Sequence, residues 1–202
     1  NSKKCGNIPQ TRERIYIVGF KDESNGDGIC SRNFKIPNEI ELTTTIRDLI
    51  DKEKQDERYY YNKDHRYYPL LDEAMNSDTT VYQWRRHYVR ENKSNVCPTL
   101  TANMGTGGHN VPLIRDNFGY RKLTPKECTR FQGFPNSFTF PTEMANSHCY
   151  KQAGNSVVVS VIKRIADEMM RVMNIKYGGL SEPKNPPIKS INSKFISQKE
   201  LF

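Results

Sequence analysis

Paired cysteines, a long apolar run and an excess of acid are all missing from this 202-residue chain. Its five cysteines, Cys5, Cys30, Cys97, Cys128 and Cys149, are odd in number, scattered, and never at C-x-x-C spacing. That pattern excludes a closed disulfide framework and a zinc knuckle, and predicts reduced, partly buried thiols. Only four histidines are present, and the adjacent His148 and Cys149 have no second half, so no metal is expected. No stretch approaches the roughly 18 apolar residues that span a bilayer, and the opening "NSKKCGNIPQ" has no apolar signal core. A soluble, cytoplasmic protein with no membrane partner is the expectation. Acid is outnumbered, 23 residues against 31 Lys and Arg, which leaves a net charge of +8 and a pI near 9.2. Such a surface favours a polyanionic partner, nucleic acid or acidic lipid, and charge alone does not choose between them.

Elements can be placed along the chain from pattern. "RIYIVGF", 14 to 20, is β-branched and aromatic and reads as a largely buried strand, with loop before it. From Lys21 to Thr80 the text is polar and turn-rich: "KDESNGDG" is loop, "TTIRDLIDKE" a turn or two of helix, "ERYYYNKDHRYYPLL" a charged segment studded with tyrosine. No internal repeat is found. Between 81 and 122 seven basic residues face two acidic ones, so this window holds most of the surplus charge, on short strand-like pieces. "LTPKECTRFQGFP" carries a helix start with a mechanism: Thr124 as N-cap, Pro125 at the first helical position, Glu127 completing a capping box, and Gly133 and Pro135 as the stop. "NSVVVSVIKRIADEMMRVM" predicts an amphipathic helix from Ser156 to about Met173, with Val158, Val161, Ile162, Ile165, Met169 and Val172 on one stripe. From 175 the Pro/Gly/Ser/Lys-rich text reads as a flexible tail.

Four stretches could carry chemistry, and each has a plainer reading. Arg12 and Arg14 fall on one side of an extended segment, where two guanidiniums suit a phosphate, a carboxylate or a base carbonyl; the alternative is a solvated strand entrance. "TLTANMGTGGHN" brings Gly105, Gly107 and Gly108 beside His109, so backbone could approach a ligand closely, or simply turn a hairpin. It lacks the lysine and spacing of a phosphate-binding loop. "AGNSV" places Asn155, Ser156 and Val157 at a helix N-terminus suited to an anion or polar ligand, or to an ordinary cap. "QWRRHYVRENK" interleaves Trp84 and Tyr88 with basic residues, as nucleic-acid contact requires, or else is an edge strand with Trp84 in the core.

Taken in order, "PQTRERIYIVGF", "PTLTANMGTGGHNVPLI", "RKLTPKECTRFQGFP" and "YKQAGNSVVVSVIKRIA" resemble the carboxy-terminal half of bacterial DNA (cytosine-5) methyltransferases, from the eighth motif (Q-x-R-x-R) through the variable target-recognition domain to the ninth and tenth motifs. The resemblance implies that Arg12 and Arg14 lie at the pocket for the flipped cytosine, and that Asn155, Ser156 and Val157 line part of the S-adenosylmethionine pocket. Thr99 and Leu100 would belong to the DNA-facing core. Double-stranded DNA is the implied partner, with Arg85, Arg86, Arg90 and His109 as base readers and Lys93, Thr99 and Lys122 suited to phosphate. The family's nucleophile is a cysteine in a Pro-Cys context. None of the 11 prolines here precedes a cysteine, Cys97-Pro98 has the order reversed, and no Glu-Asn-Val occurs.

The expectation is therefore an α+β fold in a chain that lacks the amino-terminal catalytic portion and is inactive alone. A small target-recognition domain of short strands, loops and few helices over 21–142 would be flanked by catalytic-domain remnants, a strand over 1–20 and a long helix over 143–174. Orphaned apolar surface along Val158, Ile162, Ile165 and Met169 would promote self-association. A non-catalytic DNA-binding module, or one subunit of a split enzyme, is the alternative.

Overall fold

A computed structural model describes residues 1–21, 28–105 and 110–176. The fold is α+β: a four-stranded antiparallel sheet in the order β2-β1-β3-β4, with β1 Tyr82–Arg85, β2 Tyr88–Glu91, β3 Pro112–Asp116 and β4 Gly119–Lys122, and helices against it. Every strand lies in the basic window read as strand-like. β1 is flanked on both sides, so Trp84 is not on an edge, and its side chain is buried.

The period-two pleat sorts side chains onto two faces. Tyr82, Trp84, Leu113 and Tyr120 turn to a core completed by Leu71 and Met75 from α3 (Tyr68–Ala74) and its end. Ile114 turns the other way, to a second core with Ile46, Leu100, Leu123, Cys128, Phe131, Tyr150 and Ala153. That core draws on α4 (Pro125–Arg130) and α5 (Asn146–Asn155). Beyond β4 the chain at Tyr60 pairs with Arg121, and the Tyr61 amide donates to the Tyr120 carbonyl at 2.9 Å, continuing the sheet by one short segment.

The Thr124 helix forms as its local signals dictate. The Thr124 side chain accepts from the Glu127 amide at 3.2 Å and the Glu127 carboxylate accepts from the Thr124 amide at 2.7 Å. Gly133 follows in the left-handed region, φ 75°. Arg121, counted with the basic surface from sequence, is instead buried: its guanidinium donates to both oxygens of Glu127 at 2.8 Å and to Asp116 at 2.6 Å. This ties β4 to α4 and removes one cation from the surface.

Several expectations are corrected. Residues 14–20 are not a buried strand: Ile15 and Ile17 are 91% and 95% exposed. Tyr16 packs inward, while no described strand runs alongside to pair the backbone. A short helix, α1 (Ser2–Gly6), precedes it where loop was expected, and a second, α2 (Ile29–Asn33), comes later in the chain. The long helix does not begin at Asn155 or Ser156. "AGNSV" instead ends α5 and turns into α6 (Val159–Lys176), because Tyr150, Ala153 and Gly154 hold a separate helix against the core.

The apolar stripe of α6 is covered as well. Val158 is 2% and Val161 5% exposed, packed with Ile8 beside Cys5, Tyr16 and Ile165. Ile162 and Met169 are half-buried, and Arg171 ties α6 to α2 by donating to the Asn33 carbonyl at 2.9 Å. The self-association surface expected along Val158, Ile162, Ile165 and Met169 is thus largely occupied by this chain's own amino-terminal segment. Among the described residues no helix is long and apolar enough to cross a membrane. The tail beyond 176 lies outside the described residues.

Candidate functional site

Gln10 and Arg12 draw the four sequence runs to one junction. The Gln10 side-chain amide donates to the Phe131 carbonyl at 2.6 Å, and its oxygen accepts from the Leu100 amide at 3.4 Å. Arg12 is buried, and its guanidinium donates to the carbonyls of Leu100 at 2.8 Å, Gly154 at 3.1 Å and Ser156 at 2.6 Å. Gln132 adds further ties, its side chain donating to the Ala153 carbonyl at 3.0 Å while its backbone carbonyl accepts from the Val159 amide at 2.9 Å. No carboxylate takes part, so burial, with the nearby Arg14 charge, lowers the Arg12 pKa. Gly154 makes the approach possible: a Cβ there would stand 2.3 Å from the Thr101 carbonyl carbon.

Arg14, two residues on, takes a different course from Arg12. It is exposed, donates among the described residues only to the neighbouring Glu13 carbonyl at 2.6 Å, and lines a 580 Å³ cavity with Tyr16, Val18, Phe34, Ile36 and Arg164. Beside the junction, Asn155 and Val157 are exposed, and the Ser156 hydroxyl donates to the Ala153 carbonyl at 2.8 Å.

A second cluster occupies the sheet face opposite Trp84. Arg85 donates to the Asn110 side-chain oxygen at 2.8 Å, Gln83 donates to the same oxygen at 3.3 Å, and Arg90 donates to the Gln83 side-chain oxygen at 2.9 Å. The register sets this ladder: Gln83 lies opposite Arg90 on the neighbouring strand, and Asn110 enters from the segment before β3, its amide donating to the Trp84 carbonyl at 2.8 Å. Both guanidiniums are fixed by neutral amides, and neither meets a carboxylate among the described residues. The buried Arg90 Nε has no partner among the described residues. Fixed forks of donors with uncompensated charge are what phosphate and base edges accept. Gln83 and Asn110 were missed in the sequence because an amide's role there is visible only once the register is known.

The remaining candidates spread around these centres. Arg86 stands exposed in the β1–β2 turn and Lys93 is exposed just after β2. The Thr99 hydroxyl donates to the Thr11 carbonyl, and Gly105 packs so closely on Tyr150 that a Cβ would lie 2.4 Å from its ring. Gly107, Gly108 and His109 lie outside the described residues. Lys122 is half-buried, its ammonium 5.9 Å from the ring centres of both Tyr59 and Tyr150, and burial lowers its pKa. Cys97 and Cys128 offer no ready thiolate: both are fully buried, and burial raises both well above the ordinary thiol value. Among the described residues no group of three or more His, Cys, Asp or Glu could hold a metal ion.

Comparison with known proteins finds relatives among methyltransferases. Type II methyltransferase M.Bsp6I of Bacillus sp. (strain RFL6) is 58% identical over 175 residues, covering 86% of this chain and 54% of that protein. Type II methyltransferase M.DsaV of Dactylococcopsis salina is 36% identical over 174 residues, covering 84% and 46%. The chain thus spans about half the length of these curated relatives. In fold it is similar to the crystal structure of S. pombe Dnmt2 methyltransferase, with a TM-score of 0.53 at 19% identity over 83% of this chain and 55% of that one. Residues 1–171 match the family described as C-5 cytosine-specific DNA methylase, and with all four runs meeting around Gln10 and Arg12, the chain belongs to that family.

Proposed function

We propose that this chain is the DNA-recognition portion of a DNA (cytosine-5) methyltransferase, an enzyme that transfers a methyl group from S-adenosylmethionine to a cytosine flipped out of a short duplex site. The observation that carries the reading is the ladder Arg85–Asn110–Gln83–Arg90, two cations held ready by neutral amides on one sheet face. Arg85, Arg90 and the exposed Arg86 are assigned to base edges, and Lys93 to phosphate. The β-sheet unit with its loops is the target-recognition domain, and the 14–20 segment with α5 and α6 belongs to the catalytic domain.

Within the cytosine pocket, Arg14 is the guanidinium free to donate to the base carbonyl or its phosphate. Arg12 keeps the pocket's walls together through the Leu100, Gly154 and Ser156 carbonyls. Extruding the base costs a few kcal/mol, and a rigid junction keeps that cost from rising. When bound, S-adenosylmethionine supplies the methyl group. Exposed Asn155 and Val157 fit one edge of its pocket, where Ser156 is held by Arg12 and leaves both neighbours accessible. The absence of a Pro-Cys pair, together with the raised pKa of buried Cys97 and Cys128, favours an amino-terminal portion supplying the nucleophile, whether as the same chain or as a separate subunit.

Selection of bound sequences from a randomised duplex pool at two salt concentrations tests the reading. Enrichment of one short cytosine-containing site that survives the higher salt is expected. Binding without enrichment that fades steeply with salt would reduce the ladder to an electrostatic footprint. Methyl transfer by the chain alone would overturn the assignment of the nucleophile elsewhere.

A further inference from the structure

On the sheet face opposite the ladder lies a cavity of 300 Å³ that plays no part in the reading above. Tyr59, Tyr61, Tyr67 and Trp84 form its walls, with Arg58, His65 and Lys122 as charged or polar members. Its size falls at the lower end of the range of about 300–1,000 Å³ for small-ligand clefts, enough for one planar ligand and too small for a duplex. Tyr67 and Trp84 are braced against each other, ring centres 4.4 Å apart, and His65 is edge-on to Tyr61 at 4.9 Å. These walls are therefore preformed. Lys122 has no carboxylate within ion-pair distance among the described residues, and no acidic residue lines the cavity. Arg58, which also lines the cavity, is already paired with Asp56 at 2.8 Å.

Three ligand classes can be weighed against this lining. Aromatic walls attract quaternary ammonium ions, but the Lys122 ammonium already lies over Tyr59 and repels a second cation. A neutral apolar ligand would fill the space and leave Lys122 half-buried without a counter-charge, an unfavourable arrangement. A flat aromatic ring that carries a phosphate satisfies both features, stacking on Tyr or Trp while Lys122 donates to the anion. We infer that this slot binds a single unstacked nucleotide, base between the aromatic walls and phosphate at Lys122. Such a nucleotide comes either from DNA or from the free pool; the DNA source rests on the proposed function, the free source does not.

Trp84 is the only tryptophan of the chain and stands in the slot wall, so its emission reports occupancy. The 202-residue chain is titrated with deoxycytidine monophosphate, with a short single strand and with a fluorescein-labelled duplex, while choline and deoxyribose 5-phosphate serve as controls. Saturable quenching by the nucleotide and by neither control is expected, weakened about tenfold in Lys122→Met. Lys122→Gln repeats the test if the methionine variant does not fold. Quenching by the mononucleotide alone assigns the slot to a free ligand; quenching by the single strand or duplex as well assigns it to a base leaving DNA. No quenching by any nucleotide, or quenching in the lysine variants as strong as in the parent, overturns the slot. Duplex binding seen by fluorescein anisotropy with Trp84 emission and nucleotide response flat sinks the slot and leaves DNA recognition standing, whereas mononucleotide quenching without duplex binding does the reverse.

Discussion

Arg121 and Glu127 meet through two hydrogen bonds of 2.8 Å with both side chains wholly withdrawn from water. The same carboxylate also accepts from the Thr124 amide at 2.7 Å and the Asp51 amide at 2.9 Å, so it satisfies a helix start and a loop at once. Burial opposes the Arg121 charge, but hydrogen bonds and charge from Glu127 and Asp116 outweigh it and raise the pKa. Removing the cation leaves two carboxylates in the interior, one of them fully buried. Arg121→Met is expected to lose about 3–5 kcal/mol, read from urea unfolding. A loss below about 1 kcal/mol would mean that water reaches the pair.

Arg12 and Arg14 should separate in the same assay. Arg12→Met strands the buried Leu100 and Gly154 carbonyls and frees the half-buried Ser156 carbonyl, and a stability loss of about 3 kcal/mol follows from penalties of about 1–3 kcal/mol per buried group. Arg14→Ala removes an exposed side chain and should stay within about 0.5 kcal/mol of the parent. In a reconstituted full-length enzyme the order reverses in kind. Arg14→Ala should lower methyl transfer with the fold intact, which circular dichroism beside a tritium-transfer assay would show. Equal stability losses would deny the division of labour.

These two arginines also show where sequence reading stops. The α4 capping box was legible because Thr124, Pro125 and Glu127 carry the whole signal within one turn. The stripe from Val158 to Val172 was legible because it repeats at helical period. Helix α5 was not: "NSHCYKQAGN" has weak helix formers, and its register is set by distant contacts, such as the Tyr150 hydroxyl donating to the Leu123 carbonyl. Arg12 pairs with backbone 88 to 144 positions away, and backbone acceptors leave no trace in side-chain identity. The run over 14–20 has the composition of a buried strand, yet a strand is buried only where others flank it.

Gly154 offers a test of how closely the junction is packed. A Cβ would meet the Thr101 carbonyl carbon at 2.3 Å and its oxygen at 2.4 Å, backbone atoms that can yield only if the Leu100–Ala102 segment shifts. Gly154→Ala is expected to cost about 1–3 kcal/mol as an overpacking change and to loosen the Arg12 contacts to Leu100 and Gly154 together. Amide hydrogen exchange around Leu100 would rise with it. A variant as stable as the parent, with unchanged exchange, would show that the two backbones stand further apart than described.

Asn110 decides whether the ladder works as a unit. Its side-chain oxygen receives both Arg85 at 2.8 Å and Gln83 at 3.3 Å, and Gln83 in turn receives Arg90, so one amide orients both guanidiniums. Asn110→Ala should relax base preference as Arg85→Ala does, each by about 1–3 kcal/mol at the affected base pair. The double variant should lose little more than either single one, because a fork that is no longer aimed has little left to lose. Lys93→Ala should weaken all sequences alike and reduce the salt slope by about one, leaving preference untouched. If Asn110→Ala and Arg85→Ala instead add fully, Asn110 reads DNA independently and the arginines are aimed by something else. If all of these variants merely lower the salt slope together, the sheet face grips phosphate and the base readers lie elsewhere.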